Sequence, residues 1–215
     1  MKQKLLIVAA TKLEVAQVFE HFNLPDGDFI EQSTFDLLIT GVGMTATAFA
    51  LGKYLKSSYH LVLNVGIAGS FDQQLPLGSV VSVGTDTFSE LGAEDHDQFI
   101  PINVLGFGNN RFESTQDLPG LPKLDGITVN TVHGNDQRIA KVQSMFNVQT
   151  ESMEGAAVFY ACNAMNIPCA QARAISNYVT PRAKEDWKVG LAINNLNSWL
   201  IQFITDRNNS VSVLS

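Results

Sequence analysis

The sequence predicts an α/β fold built on a mainly parallel sheet, and three observations carry that prediction. Short apolar runs alternate with stretches whose apolar residues recur at helical spacing. Glycines stand where several of the apolar runs end. No internal repeat, low-complexity tract or linker divides the 215 residues, a length that suits one domain over 1–215 and is short for two.

Residues 5–10 read as a strand and 12–22 as a short helix. A strand over 34–40 ends at Gly41-Val42-Gly43, and a helix follows over 45–56. Residues 61–65 form a strand ended by Gly66, and 79–83 a further β-branched run. The polar stretch 89–110 reads as loops. Residues 127–132 are a strand and 136–146 a helix. Met153, Ala156, Ala157, Tyr160 and Ala161 give 153–165 helical spacing. Residues 169–175 are a strand. A last helix over 184–205 shows an apolar face marked by Trp187, Leu191, Ile193, Leu196, Leu200, Phe203 and Ile204. In such sheets ligands bind beyond the carboxyl ends of the strands, so the residues just after each strand carry the functional reading.

Composition removes several classes. Hydrophobic residues at 45% against 16% charged indicate a globular chain rather than a disordered, collagen-like or coiled-coil one. A net charge of −7 argues against a basic field for nucleic acid. The apolar run after Met-Lys-Gln-Lys is too short for a secretory signal. The longest uncharged stretch, 155–172, holds two Asn, a Gln and Pro168, which argues against a membrane span. Cys162 and Cys169, with no CxxC and no His cluster, read as reduced core cysteines of a cytoplasmic protein.

Several segments carry candidate chemistry. Gly41-Val42-Gly43-Met44-Thr45-Ala46 matches a dinucleotide GxGxxA pattern, but the acid required about 20 residues on is missing. What remains is a tight turn offering backbone N–H groups to a ligand. Gly66-Ile67-Ala68-Gly69-Ser70 is a second glycine-rich strand end, read as a turn needing positive φ or a close approach to a ligand. Glu94-Asp95-His96-Asp97 reads as solvated charge, since no second His stands at ligand spacing. His133 stands at a strand end, which suits a base, but it lacks a nucleophile motif and reads as a hydrogen-bonded structural histidine. Glu151-Ser152-Met153-Glu154-Gly155 places two carboxylates at the mouth of an apolar helix. They either cap it or point Glu154 at a ligand diol, which a carboxylate grips through two hydrogen bonds. Asn177, ending Arg173-Ala174-Ile175-Ser176-Asn177, is a turn former or a reader of a heterocycle through its paired donor and acceptor.

Taken in order, Glu14, Gly41-x-Gly43, Gly66-x-Ala68-Gly69, His133-Gly134-Asn135, Ser152-Met153-Glu154-Gly155-Ala156-Ala157 and Arg173-Ala174-Ile175-Ser176-Asn177 resemble the nucleoside phosphorylase/nucleosidase superfamily. That superfamily includes purine nucleoside phosphorylases and methylthioadenosine/S-adenosylhomocysteine nucleosidases. Phe88-x-x-Leu91-Gly92-Ala93-Glu94 and Ile175-Ser176-Asn177-Tyr178-Val179-x-Pro181-Arg182 are most similar to its futalosine hydrolases. The resemblance implies a purine nucleoside phosphorylase-like three-layer sandwich around a mixed, mainly parallel sheet. It also implies a homodimer or higher homo-oligomer, with 89–110 completing a neighbouring pocket, and no cofactor or metal.

The resemblance further implies hydrolysis of futalosine to hypoxanthine and dehypoxanthine futalosine in menaquinone biosynthesis. Superfamily phosphorylases hold phosphate with arginines from the first half of the chain. Here the five arginines are Arg111, Arg138, Arg173, Arg182 and Arg207, and Asn64 stands where one is expected. Lys12, Lys53 and Lys56 read as helix-surface residues. Water is then the natural nucleophile. By resemblance Glu14 activates that water, Glu154 grips the ribose hydroxyls and faces the developing cation, and Asn177 stabilises the departing purine. Asn177 replaces the Asp of adenine-specific nucleosidases, which suits a 6-oxopurine and leaves no obvious general acid. Gly43, Ile67, Ala68, Gly69, Ser152, Met153 and Ser176 would surround the nucleoside. Trp187 is divided equally between that pocket and burial on the last helix, and Gln137 stands where related nucleosidases stack a Phe. Arg138 and Arg182 are candidate cations for the benzoate of the 5′-arm. The enzymatic alternatives are a purine nucleoside phosphorylase or a general 6-oxopurine nucleosidase. A non-catalytic nucleoside-binding protein is the alternative of another class, against which Glu14 argues.

Overall fold

A computed structural model describes residues 4–181 and 184–212. In chain order its strands are β1 (Leu5–Ala9), β2 (Phe29–Glu31), β3 (Phe35–Ile39), β4 (Leu61–Ser70), β5 (Val80–Phe88), β6 (Gly92–Asp95), β7 (Gln98–Pro101), β8 (Arg111–Glu113), β9 (Lys123–Thr128), β10 (Thr150–Ser152) and β11 (Cys169–Tyr178). The α-helices are α1 (Ala16–His21), α2 (Met44–Tyr54), α3 (Asp136–Met145), α4 (Gly155–Ala164) and α5 (Val189–Ser212).

The order of the sheet is β2-β3-β1-β4-β11-β5-β9-β10, with β8 on β5. β1 lies parallel between β3 and β4, and β4 is parallel to β11. Residues of β1 alternate between two cores. Leu5, Ile7 and Ala9 pack with Val18 of α1 and Leu196, Leu200 and Ile204 of α5. Leu6 and Val8 pack on the other face with Ala50 and Leu51 of α2 and Val158, Phe159 and Cys162 of α4. Burial on both faces explains why β1 is apolar at every position, as expected of a parallel strand under two helical layers. The result is a three-layer sandwich with a mixed, mainly parallel sheet.

The end of β4 also pairs antiparallel with β10, with Thr150 opposite Ser70 and Glu151 opposite Gly69. β10 runs parallel to β9, β9 parallel to β5, and β5 antiparallel to β11. Strands β4, β11, β5, β9 and β10 therefore close on themselves at one end of the sheet. A bulge between Ile175 and Asn177 brings Asn177 opposite Gly69.

Four expectations need correction. Gly66-Ile67-Ala68-Gly69 is not a turn but the second half of β4, and neither glycine has a positive φ. The stretch 89–110 is not all loop: β6 and β7 form an exposed hairpin, and the Glu94-Asp95-His96-Asp97 segment turns it. The strand expected at 127–132 lies earlier, as β9, because its partners are β5 and β10. The helix expected over 12–22 breaks into a 3-10 turn, Leu13–Val15, and α1. Asn197 of α5 causes that break. Its Nδ2 donates to the Glu14 carbonyl at 2.9 Å, and its Oδ1 accepts from the Val18 N–H at 3.2 Å. The amide thus inserts between the two groups that a continuous helix would join.

Among the described residues no helix is long and apolar enough to cross a membrane. Cys162 and Cys169 are buried and unpaired.

Asn197 also donates to the Ile193 carbonyl at 2.7 Å and is fully buried. Replacing it with Ala strands the Glu14 carbonyl and the Val18 N–H, and should lower stability by about 2 kcal/mol. Urea unfolding of Asn197→Ala against the parent checks this.

Candidate active site

A cavity of about 390 Å³ lies beyond the carboxyl ends of β1, β4 and β11. Ala10, Thr11 and Glu14 follow β1, Ile67, Ala68 and Gly69 come from β4, and Ser176 and Asn177 from β11. Ser152, Met153 and Glu154 enter from the end of β10. Val189 and Ile193 of α5 cover the cavity, and Trp187 does so from the segment before α5, because the helix expected from 184 starts only at Val189 after a 3-10 turn, Lys184–Asp186.

Glu14 is buried. Its Oε2 accepts from the Thr11 N–H at 3.0 Å and the Thr11 hydroxyl at 3.1 Å, and its Oε1 accepts from the Ile67 N–H at 3.1 Å. Burial pushes its carboxyl above the usual range, with the Arg173 charge and the Ile67 N–H opposing. Glu154 occupies the N-cap position of α4, yet its side chain makes no cap bond. It reaches across the site instead, where Oε1 accepts from the Gly43 N–H at 3.0 Å and Oε2 lies 3.6 Å from Arg173 Nη1. The φ of +94° at Gly43 is one that a side chain would strain. The glycine turn thus presents its N–H to a protein carboxylate.

Arg173 is the residue to which sequence reasoning gave no role. It is 1% exposed in the middle of β11. Its Nε donates to Gln171 Oε1 at 2.7 Å and its Nη2 to Asn64 Oδ1 at 2.6 Å. Gln171 Nε2 donates onward to Asp86 Oδ2 at 2.9 Å, and Asp86 Oδ1 accepts from the Thr128 hydroxyl at 2.8 Å. A chain of buried polar groups therefore runs from Asp86 to Glu154. Glycines make room for it. A Cβ on Gly66 would stand 2.3 Å from Arg173 Nη1 and 2.7 Å from Glu14 Oε1, and one on Gly155 would stand 2.0 Å from Asp86 Oδ2. The available signal was an arginine, with Gln171 two residues before it, inside a strand otherwise apolar up to Ile175.

Asn177 Oδ1 accepts from the Ser176 hydroxyl at 2.8 Å, and Nδ2 donates to the Tyr178 carbonyl at 3.1 Å. Trp187 lines the cavity, as does Met153. Of the described residues expected around a nucleoside, only Gly43 and Arg138 are not in its lining. Arg138 faces an adjoining cavity of about 430 Å³ that shares His133 with the first, and Arg182 lies outside the described residues. Sequence reasoning also missed the lining residues Thr11, Leu13, Val42, Glu151, Val189 and Ile193. His133 is hydrogen-bonded as expected, through its N–H to Glu151 Oε1 at 2.9 Å and through Nδ1 to Glu151 Oε2, but it also lines the cavity. Lys12 and Lys56 are tied to Asp26 and Glu31 on the surface.

Carboxylates, a carboxamide and apolar side chains thus meet in one pocket at the strand ends, an arrangement suited to a small polar molecule. A family model described as the phosphorylase superfamily matches residues 124–204. The chain is 34% identical over 188 residues to the futalosine hydrolase of Streptomyces coelicolor, covering 79% of this chain and 75% of that one. It is 27% identical over 174 residues to the futalosine hydrolase of Thermus thermophilus, covering 75% and 77%. In fold it resembles the 5′-methylthioadenosine/S-adenosylhomocysteine nucleosidase of Helicobacter pylori solved with butyl-thio-DADMe-Immucillin-A, at a TM-score of 0.81 and 18% identity over 96% of this chain and 99% of that one. The futalosine hydrolase of Helicobacter pylori matches at a TM-score of 0.80 and 18% identity over the same shares. The chain belongs to the phosphorylase superfamily, and within it is an N-glycosidic hydrolase of the nucleosidase type.

Burial pushes the Asp86 carboxyl up to about 6 against an ordinary 3.8, with Gln171, Thr128 and Arg173 opposing. A raised acid binds its proton more tightly folded than unfolded. Its contribution to stability is full below about pH 4 and is lost as the pH rises through about 6. Relative to Asp86→Asn, the parent should lose on the order of 3 kcal/mol across that window. Denaturant unfolding of both proteins at several pH values measures it.

Proposed function

We propose that the chain hydrolyses the N-glycosidic bond of futalosine, releasing hypoxanthine and dehypoxanthine futalosine in menaquinone biosynthesis. The observation that carries the choice of water over phosphate is the charge of the cavity wall. Its described lining includes Glu14, Glu151 and Glu154 but no lysine or arginine. The Arg173 guanidinium, beside Glu154, is committed to Gln171, Asn64 and Glu154. A phosphate dianion entering such a wall would meet carboxylates without a clamp.

In this reading the C1′–N9 bond lengthens toward an oxocarbenium-like ribosyl cation, and its electron pair leaves with the purine. Glu154 accepts hydrogen bonds from the ribose hydroxyls and sets negative charge beside the cation. Glu14 takes a proton from the attacking water, a task that its raised basicity favours. The Asn177 carboxamide pairs with the departing 6-oxopurine, and Met153 packs on the sugar.

The 5′-arm is assigned to the adjoining cavity, where Phe99 supplies an aromatic wall and Arg138 and Lys141 lie one helical turn apart on α3. Arg138 is the proposed partner of the benzoate carboxylate. The relatives named futalosine hydrolase support the substrate. A homodimer belongs to this reading, supported by the exposed apolar Leu13 and Val42 at the cavity and Phe49 on α2. So does a cytoplasmic location, supported by two unpaired cysteines.

Hypoxanthine should be released from futalosine in phosphate-free buffer, without acceleration by added phosphate and far faster than from inosine. A phosphate requirement would point to a phosphorylase instead. Glu14→Gln should cut turnover by about 10³-fold while nucleoside binding persists, measured by steady-state kinetics and calorimetry. Arg138→Ala should raise KM for futalosine by about 10-fold and leave inosine nearly unchanged, and equal effects would remove Arg138 from the 5′-arm.

A further inference from the structure

Gly69 is the middle of a short row across the sheet. Its register partner on one side is Glu151 of β10, and on the other Asn177 of β11. Two interstrand spacings, about 10 Å in all, separate the Glu151 and Asn177 backbones. Residues in register on neighbouring strands present their side chains to the same face, and both of these line the cavity. Gly69 presents none. A Cβ there would stand 2.9 Å from Val179 Cγ2 and 3.2 Å from Asn177 Nδ2. The missing side chain lets Val179 and Asn177 close over the Gly69 backbone, with Glu151 in register on its other side.

Glu151 does not face the cavity alone. It is almost fully buried, and both of its oxygens are taken by one residue, through the His133 N–H and His133 Nδ1. This fixes the imidazole. With Nδ1 bonded to a carboxylate, Nε2 is the atom left to face the cavity, and among the described residues it makes no hydrogen bond. His133 lines the main cavity and both cavities that adjoin it. We propose that His133, oriented by Glu151, is the general acid that protonates the departing purine. This rests on the nucleosidase reading above and supplies the proton donor that Asn177, a carboxamide, cannot be.

The step balances as follows. The C1′–N9 electron pair goes to the purine, and the Nε2 proton passes to a purine ring nitrogen, which leaves His133 neutral. Water adds to C1′ and gives its proton to Glu14. Glu14 releases that proton to solvent and His133 regains one, so the net change is the addition of one water. Glu151, by contrast, is a positioning residue, since it acts through the imidazole. The charged groups facing His133 are Glu151 from β10, Glu90 from the segment after β5 and Arg138 from α3. The Glu151 hydrogen bond is the largest influence and holds the imidazole above its ordinary 6.5, with burial opposing. An acid must be protonated to act, so turnover should fall as the pH rises past that raised value.

The test compares futalosine with its N7-methylated derivative, whose purine is already cationic and departs neutral without receiving a proton. His133→Ala should lower kcat on futalosine by about 10²-fold or more, abolish the alkaline limb of its pH profile, and leave the N7-methyl substrate within about threefold. Glu151→Gln should shift that limb to lower pH with a smaller loss. Retained turnover of the N7-methyl substrate also shows that the variants fold. Equal losses on both substrates, no loss on futalosine, or an alkaline limb that survives His133→Ala would each overturn the proposal. Failure of the unaltered enzyme on futalosine would overturn the substrate reading instead, and inosine with 7-methylinosine would then carry the same comparison.

Discussion

The burial of one guanidinium organises this site. Removing an arginine from water costs several kcal/mol unless its donors are met and its charge is balanced. Around Arg173 both conditions are satisfied by residues from distant parts of the chain: Asn64 on β4, Gln171 on its own strand, and Glu154 at the head of α4. Asp86, reached through Gln171, supplies a second negative charge. The interior thus holds a small ionic cluster, and Glu14 and Glu154 stand at its edge on the cavity side. Their positions are consequences of the need to neutralise Arg173 as much as of any demand from a ligand.

That cluster explains why the wall of the cavity is acidic while the protein contains a cation so close. The arginine faces inward and spends its donors on protein oxygens. The N–H groups of Gly43 and Ile67 are likewise spent on carboxylates. Backbone donors at glycine-rich strand ends commonly cradle anions, yet here they hold anions that belong to the chain itself. The same motif chemistry that elsewhere captures phosphate has been turned toward fixing two carboxylates.

Much of the scaffold was legible in the sequence, because two-sided burial leaves a strong mark. β1, β3, α2 and α3 lie within a residue or two of expectation. The three-residue strands β2, β8 and β10 were not seen, since a pattern so short carries no period. The sequence of the β6–β7 hairpin reads as loop because neither of its faces is wholly apolar. The break before α1 depends on Asn197, 183 positions away from Glu14, and no local pattern encodes it. In the site, most residues expected around a nucleoside do meet in one cavity. Glu14, Glu154 and Asn177 are singled out by a family resemblance, and the three line the same cavity. Arg173 is legible from burial logic, as a charge within a buried strand demands partners, and Gln171 two residues before it is one. His133 reads as structural from sequence because no nucleophile motif surrounds it. Its partner, Glu151, arrives on another strand.

The glycines at 66 and 155 have one more meaning. Each leaves a space already occupied by the far end of a charged or amide side chain from elsewhere in the chain. A methyl group at position 155 is incompatible with Asp86 and Gln171 as they stand, and one at position 66 is incompatible with Arg173. Such sites are strongly non-additive. Drift at these positions is therefore collective. A relative that loses one of these glycines must have shortened or rerouted the side chain that fills its place, so 66 and 173, and 155 with 86 and 171, are pairs whose histories should be correlated across the family.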